Sequence, residues 1–235
     1  MSAPARKRDP SADLVPPFPD VELAEEDGEP METTWHRDQM VFLIEQIRHH
    51  WRDRRDYFVG GNQFIYFDLE RARKQNFRGP DFFVAKGVAW DPQRRYYVVW
   101  EEGGKYPHFI LELLSEKTKR VDRTTKKTVY QDVFRTPEYV LYDPDTNKLE
   151  GLRLKGLEYE RIVPDARGWL WSEQLQLWIG KWEGEFQGCQ ATWIRFHDAD
   201  GNPIATFAEA ERQRAEAAEA EIARLKRAGK RKPGR

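Results

Sequence analysis

The sequence is short of the features that place a chain outside the cell or in a bilayer. One cysteine, Cys189, occurs among 235 residues, so no internal disulfide can form, which fits a reducing compartment. No run approaches the ~20 apolar residues that cross a bilayer. The opening MSAPARKRDPSADLVPPFPD has no apolar core like that of a signal peptide. These gaps lead to the expectation of a cytoplasmic protein with no membrane partner. Excess charge is lacking too, since 39 Lys and Arg against 40 Asp and Glu leave a net charge of −1. That excludes a bulk polycation, yet local clusters rather than the sum decide nucleic-acid binding. Also missing are a Gly-rich phosphate loop and a Ser/His/Asp arrangement. The five histidines show no metal-ligand spacing beyond His49–His50, which cannot both face one ion from a helix.

Hydrophobic residues make up 39% of the chain, below the globular average of about 45–50% on a count that includes glycine. The shortfall sits mainly at the ends. Residues 1–30 hold six of the fourteen prolines and an acidic run from Asp20 to Glu29, so a disordered N-terminal arm is expected there. The end from Phe207 is rich in Ala, Glu and Arg and favours helix. Ala218, Ile222 and Leu225 fit a coiled-coil register that Glu211 and Arg214 interrupt, which allows an imperfect coiled coil or a lone solvated helix. Its last twelve residues, RLKRAGKRKPGR, hold seven basic residues and no acid and read as a solvated tail. One domain is expected between these ends, over 31–205, with 206–235 as C-terminal helix and basic tail.

That middle carries the core, and nine Trp, nine Tyr and thirteen Phe make it strongly aromatic. Trp35, Met40, Val41, Leu43, Ile44, Ile47 and Trp51 recur at helical spacing, predicting a helix over about 34–52 with Thr33 or Thr34 as its cap. From Tyr57 the pattern turns to strands: YFVGG, QFIYFD, then after a charged connection PDFFVAKGV, RRYYVVWEEG and FILELLS. The last is nearly all apolar, as a central strand covered on both faces would be. A helix over 116–134 and the strand TPEYVLYDP follow. Short antiparallel strands fill the stretch from Leu149 to about Ile204. There the spacing of Trp169, Trp171, Trp178 and Trp182 suits sheet packing better than a base-stacking platform.

Against this background three acids and one lysine stand out. Asp81 follows Pro80 at the head of an apolar strand. Glu112 interrupts FILELLS, where a carboxylate is costly without a compensating cation. Asp122, Lys126 and Tyr130 fall at i, i+4 and i+8 on one face of the next helix. Magnesium takes hard oxygen ligands, commonly one or two protein carboxylates, and keeps several waters. Two acids on adjacent strands meet that need, and a nearby lysine can polarise a water or stabilise charge on a phosphate. Together they would support hydrolysis of a phosphodiester bond. The stretch 116–127 adds Lys117, Lys119, Arg120, Arg123 and Lys127, a local phosphate-gripping surface on a nearly neutral protein.

The order RGPD at 78–81, WEEG at 100–103, FILELLS at 109–115, then Thr118, Asp122, Lys126 and Tyr130, closed by PEYVLYDP at 137–144, resembles the Uma-type family of restriction endonucleases. This family belongs to the PD-(D/E)XK nuclease superfamily, and the resemblance covers roughly residues 35–180. It implies an α/β fold with a restriction-endonuclease-like mixed β-sheet flanked by helices, and a metal site at one sheet edge. By the same resemblance the chain is an endonuclease, a hydrolase that uses Mg2+ or Mn2+ on DNA, with a homodimer allowed. Asp81 and Glu112 match the family's metal-binding acids. Leu114 stands where the superfamily has lysine, which makes Lys126 the catalytic candidate, with Lys127 second and Asp122 and Tyr130 in support. Gln63 on an early strand, and Glu45 or Asp38 on the first helix, are candidates to complete the site. The departure at Leu114 keeps an alternative open: a weak or inactive nuclease-fold protein that binds nucleic acid or a protein partner.

Overall fold

The structure, a computed structural model, describes residues 33–68 and 77–230. The expected arm over 1–30, most of the charged connection after Asp68 and the last residues of the basic tail lie outside them. Chain order runs α1 (Thr34–His50), β1 (Tyr57–Gly60), β2 (Ile65–Tyr66), β3 (Phe82–Lys86), β4 (Tyr97–Val98) and β5 (Phe109–Leu113). A continuous helix over 119–133, here α2, leads to β6 (Glu138–Asp143), β7 (Lys148–Lys155), β8 (Glu158–Arg161), β9 (Leu170–Ser172), β10 (Leu177–Phe186) and β11 (Cys189–His197). Helix α3 (Phe207–Lys230) closes the described chain.

Six strands form a mixed sheet in the order β1-β3-β5-β6-β7-β8, in which only β5 and β6 run parallel. That pair needs a crossover, which α2 supplies. β9, β10 and β11 form a second, antiparallel sheet, and β2 pairs with β4 as a short parallel ladder. All five residues of β5 are buried, as a central strand covered on both faces requires. Its alternation splits the core into two layers. Phe109, Leu111 and Leu113 face a layer shared with Leu43 and Ile47 of α1 and with Ile179, Ile194 and Phe196 of the second sheet. Ile110 and Leu114 face the opposite layer, with Val129 and Tyr130 of α2 and Phe134 just after it. The strand's two-residue period therefore turns Glu112 toward α2.

Helix α1 starts at Thr33, whose hydroxyl accepts from the His36 amide at 3.1 Å. Its buried glutamines tie it to the edge strand β11. Gln39 accepts from the Ile194 amide at 2.6 Å and donates to the Ile194 carbonyl at 3.0 Å, while Gln46 accepts from the Phe196 amide at 2.8 Å. These bonds use backbone groups that an uncovered edge would leave open to another chain, and they fix the rotation of α1 about its axis. The expected helix over 116–134 forms over 119–133, but not as a regular α-helix. Asp122–Lys126 and Val129–Val133 are π-turns, with the Lys127 amide bonded to the Asp122 carbonyl and Phe134 to Val129. Such widened turns occur often at functional sites. Here the Thr124 hydroxyl also donates to the Arg120 carbonyl at 2.6 Å, a side-chain bond that competes with the regular ladder.

Trp193 is the fully buried tryptophan of the second sheet. Trp169, Trp171, Trp178 and Trp182 pack on that sheet but are only partly buried. Trp169 stacks on His197 with ring centroids 3.9 Å apart. His197 is buried and its Nδ1 has no hydrogen-bond partner. Burial depresses this imidazole to about 4, with the Arg195 and Arg167 charges adding to the effect. Above the ordinary histidine value both folded and unfolded chains hold His197 neutral. As pH falls from about 6.5 to about 4 the unfolded chain takes up the proton first, so stability should drop by on the order of 2–3 kcal/mol. Urea unfolding of wild type and His197→Gln at pH 7 and 4.5 measures this. The variant should lose less than wild type on acidification, and equal losses would reject the assignment.

The first turn of α3 is anchored by Arg195 Nη2 to Glu209 Oε2 at 2.7 Å and by the Thr206 hydroxyl accepting from the Glu209 amide at 3.2 Å. Farther along it Ile222 and Leu225 are exposed. No helix among the described residues is long and apolar enough to cross a membrane.

Candidate active site

At the C-terminal end of β5, next to the head of β3, three carboxylates and one ammonium converge. Asp81 precedes β3, and its backbone amide donates to Glu112 Oε2 at 3.2 Å. Its own carboxylate accepts from the Leu113 amide through Oδ2 at 2.7 Å and from His36 Nε2 through Oδ1 at 2.8 Å. Glu112 Oε1 accepts from the Tyr130 hydroxyl at 2.9 Å and lies 3.1 Å from Lys126 Nζ. That ammonium also lies 2.8 Å from Asp122 Oδ1. The Glu112 side chain is 0% exposed and that of Asp122 1%, whereas Asp81 keeps 18% and Lys126 19%. Solvent therefore reaches the cluster from the side of Asp81 and Lys126.

The charges do not balance within the cluster. Burial pushes the Glu112 carboxyl well above the usual glutamate range, Asp81 and Asp122 push it further, and Lys126 opposes them. Burial also raises Asp122 against the pull of Lys126. Burial alone would raise Asp81, but the hydrogen bond and charge of His36, with Lys126 and the Leu113 amide, hold it below the usual aspartate range. Lys126 stays charged, because Glu112, Asp122 and Asp81 outweigh the burial that would lower it. Asp81 is thus the ionised, accessible member, and Glu112 is the one whose charge is under-compensated.

Asp81, Glu112, Asp122, Lys126 and Tyr130 come together, then, from the residue that leads into β3, from β5 and from α2. Lys127 does not join them, since it lines a separate cleft with Arg123. Gln63 is close in sequence to this corner but donates its amide to the Arg94 carbonyl at 2.7 Å. Glu45 is remote. Its carboxyl is raised by burial and by neighbouring Glu209, at the far end of α1. Asp38 is held by Arg37 at 3.0 Å. Leu114, at the position where a lysine was expected, is buried against Val129 and Tyr130. The residue that sequence reasoning missed is His36. Its partner lies 45 positions away, and nothing in the helical pattern marks it.

The cluster's floor depends on a close approach. A Cβ placed on Gly61 would lie 2.6 Å from the Asp81 carbonyl oxygen and 2.5 Å from Met40 Cγ. Gly61→Ala should therefore shift the head of β3, at a cost of about 1–3 kcal/mol, and move the Asp81 carboxylate with it. Thermal melting should show the loss, and a variant that melts like wild type would remove this constraint.

The Uma2 family profile, described as "putative restriction endonuclease", matches residues 14–181. The chain belongs to this family. All five members of the cluster, and His36 on α1, fall within the matched segment. Among solved structures, a crystal structure described as a "putative nuclease belonging to DUF820" from Anabaena variabilis is similar to this chain. The two are 17% identical with a TM-score of 0.42, over 60% of this chain and 77% of that one. No curated protein sequence matches.

Proposed function

We propose that this Uma2-family chain is a divalent-metal-dependent endonuclease that hydrolyses phosphodiester bonds in DNA. The observation that carries the reading is the meeting of Glu112 and Asp122 on the single ammonium of Lys126, with Asp81 joined to Glu112 through its backbone amide. Among the described residues no three His, Cys, Asp or Glu side chains are arranged to hold a metal ion. The donor set fits instead a hard cation that takes two protein carboxylates and fills its remaining positions with water, as Mg2+ does and Mn2+ can. Asp81 and Glu112 are the residues that would hold it, and a cation there would offset the excess negative charge. Both Asp81 oxygens and Glu112 Oε2 have one partner apiece, which leaves acceptor capacity on each, while Glu112 Oε1 already has two.

The bound ion would supply Lewis-acid polarisation of the phosphate and a more acidic water. The chain's own groups supply the rest. Lys126 keeps its proton and can stabilise negative charge on the phosphate in the transition state. Asp122 fixes that ammonium from one side, and Tyr130 holds Glu112 Oε1 from the other. His36 orients Asp81 through Oδ1. Lysines and arginines on 116–127 give the sugar-phosphate backbone a cationic approach.

The test is incubation of the full chain with supercoiled plasmid, single-stranded DNA and RNA, in Mg2+, Mn2+ or chelator. Cuts in DNA that need the metal, and vanish in Asp81→Ala, Glu112→Ala and Lys126→Ala, are expected. Background cleavage that is identical in wild type and all three variants would overturn the enzymatic reading. In that case the fold would serve binding alone.

A further inference from the structure

On its other side, α2 forms one wall of a cleft of about 390 Å³. Arg123 and Lys127 reach it from α2, Lys148 from β7 and Arg161 from β8. One carboxylate, Glu150, stands among these four cations. Its Oε2 lies 2.6 Å from Arg123, and its Oε1 lies 3.1 Å from Lys148 and 3.8 Å from Arg161. The mouth therefore keeps a net positive charge, and Arg161 is 82% exposed and only loosely paired. On the face turned to α2 the aliphatic lining beneath the cations is Leu141 and Leu152, and Leu149, Ile162 and Leu170 reach the cleft from the opposite core layer. A cationic mouth over an apolar floor selects an anion with an apolar or flat body, and the volume lies in the ~300–1,000 Å³ range of small-molecule sites.

The cleft's place in the sheet narrows the choice. Glu112 on β5 pairs with Leu141 on β6, and Leu141 pairs with Glu150 on β7. Directly paired residues point to the same face, and strands lie about 4.8 Å apart, so the backbones at Glu112 and Glu150 are about 10 Å apart. Helix α2 bridges both, with Lys126 on Glu112 and Arg123 on Glu150. An anion in the cleft would thus lie within a nucleotide or two of a phosphate held at the acidic cluster.

We propose that this cleft binds a nucleoside phosphate. Its phosphate sits among Arg123, Lys127, Lys148 and Arg161, and its base lies on the aliphatic floor. The ligand has two sources, a nucleotide of the strand being cut or a free mononucleotide. The first rests on the nuclease reading, and the second stands without it.

The experiment uses the full chain in chelator, so that metal-dependent cleavage does not enter. Binding of a labelled single-stranded oligonucleotide, of dAMP and of inorganic phosphate is compared for wild type and a Lys148→Glu/Arg161→Glu variant. Both side chains are largely exposed, so the fold should survive, as a melting curve checks. Oligonucleotide affinity should fall by about tenfold or more in the variant, with a shallower salt dependence. If dAMP weakens in parallel, the site also takes free mononucleotides. If only the oligonucleotide weakens, the ligand is part of a strand. Equal affinities in wild type and variant would overturn the proposal, as would inorganic phosphate binding as tightly as dAMP, since the floor would then contribute nothing. A chain that binds this way but never cuts DNA in Mg2+ keeps the cleft and loses the nuclease reading. One that cuts DNA while the variant's affinity is unchanged does the reverse.

Discussion

Asp81→Ala is expected to lower metal-dependent cleavage by more than about 100-fold. Loss of a mere supporting partner of a metal ligand typically costs about 10–100-fold, and Asp81 would be a ligand itself. It is the one carboxylate of the cluster both ionised and open to solvent. The substitution also strips the Leu113 amide of its acceptor, and an unsatisfied buried donor costs about 1–3 kcal/mol. Asp81→Asn separates the two effects, because its amide oxygen can still accept from Leu113 while its charge is gone. Cleavage rates at saturating Mg2+, set beside denaturation midpoints, give the comparison. An Asn variant that folds like wild type and still cuts DNA at a similar rate would remove Asp81 from the chemistry.

Lys126→Ala should have the largest effect on stability. It leaves Glu112, whose side chain is 0% exposed, without its cation, and breaking a buried pair from one side costs about 3–5 kcal/mol. The penalty should depend on pH. Burial already raises the Glu112 carboxyl well above the usual range, and Lys126 is what pulls it back. Without the lysine the folded value rises further, so the folded chain retains a proton that the unfolded chain releases above about pH 4.5. A group raised in this way favours folding at low pH and loses that contribution as pH rises. The deficit of Lys126→Ala should therefore be smaller at pH 5.5 than at pH 8. Adding Glu112→Gln should restore part of the stability at pH 8, since it removes the orphaned charge. Guanidinium unfolding of the two single variants and the double variant checks this. Equal stability of Lys126→Ala and wild type at pH 8 would contradict the buried pair.

Residues that conflict with their surroundings were the ones legible in the sequence. Glu112 is the lone charge in a strand whose other residues are apolar, and that conflict located both the central strand and the acid that meets α2. Asp81 could be read because a Pro-Asp pair opens the neighbouring apolar run. The choice between Lys126 and Lys127 could not be made from spacing alone. Adjacent helical residues point about 100° apart, and the face of α2 that packs on the sheet is set by Val129, Tyr130 and Phe134 and by π-turns that carry no sequence signature. Glu45 was a candidate because it shares α1 with the site. It lies nine residues from His36, a rise of about 13 Å, and cannot reach the same ion. His36 and the cationic cleft were illegible for a common reason. Each joins residues from separate elements, so only the sheet order and the rotation of α1 reveal them.

The central claim, that Asp81 and Glu112 together hold a divalent cation, is tested most directly by titrating the full chain with Mn2+ and following the free ion by electron paramagnetic resonance. Wild type should deplete the free Mn2+ signal saturably, and Asp81→Asn and Glu112→Gln should each weaken that binding by at least about tenfold. Superimposable titration curves for all three proteins would contradict it.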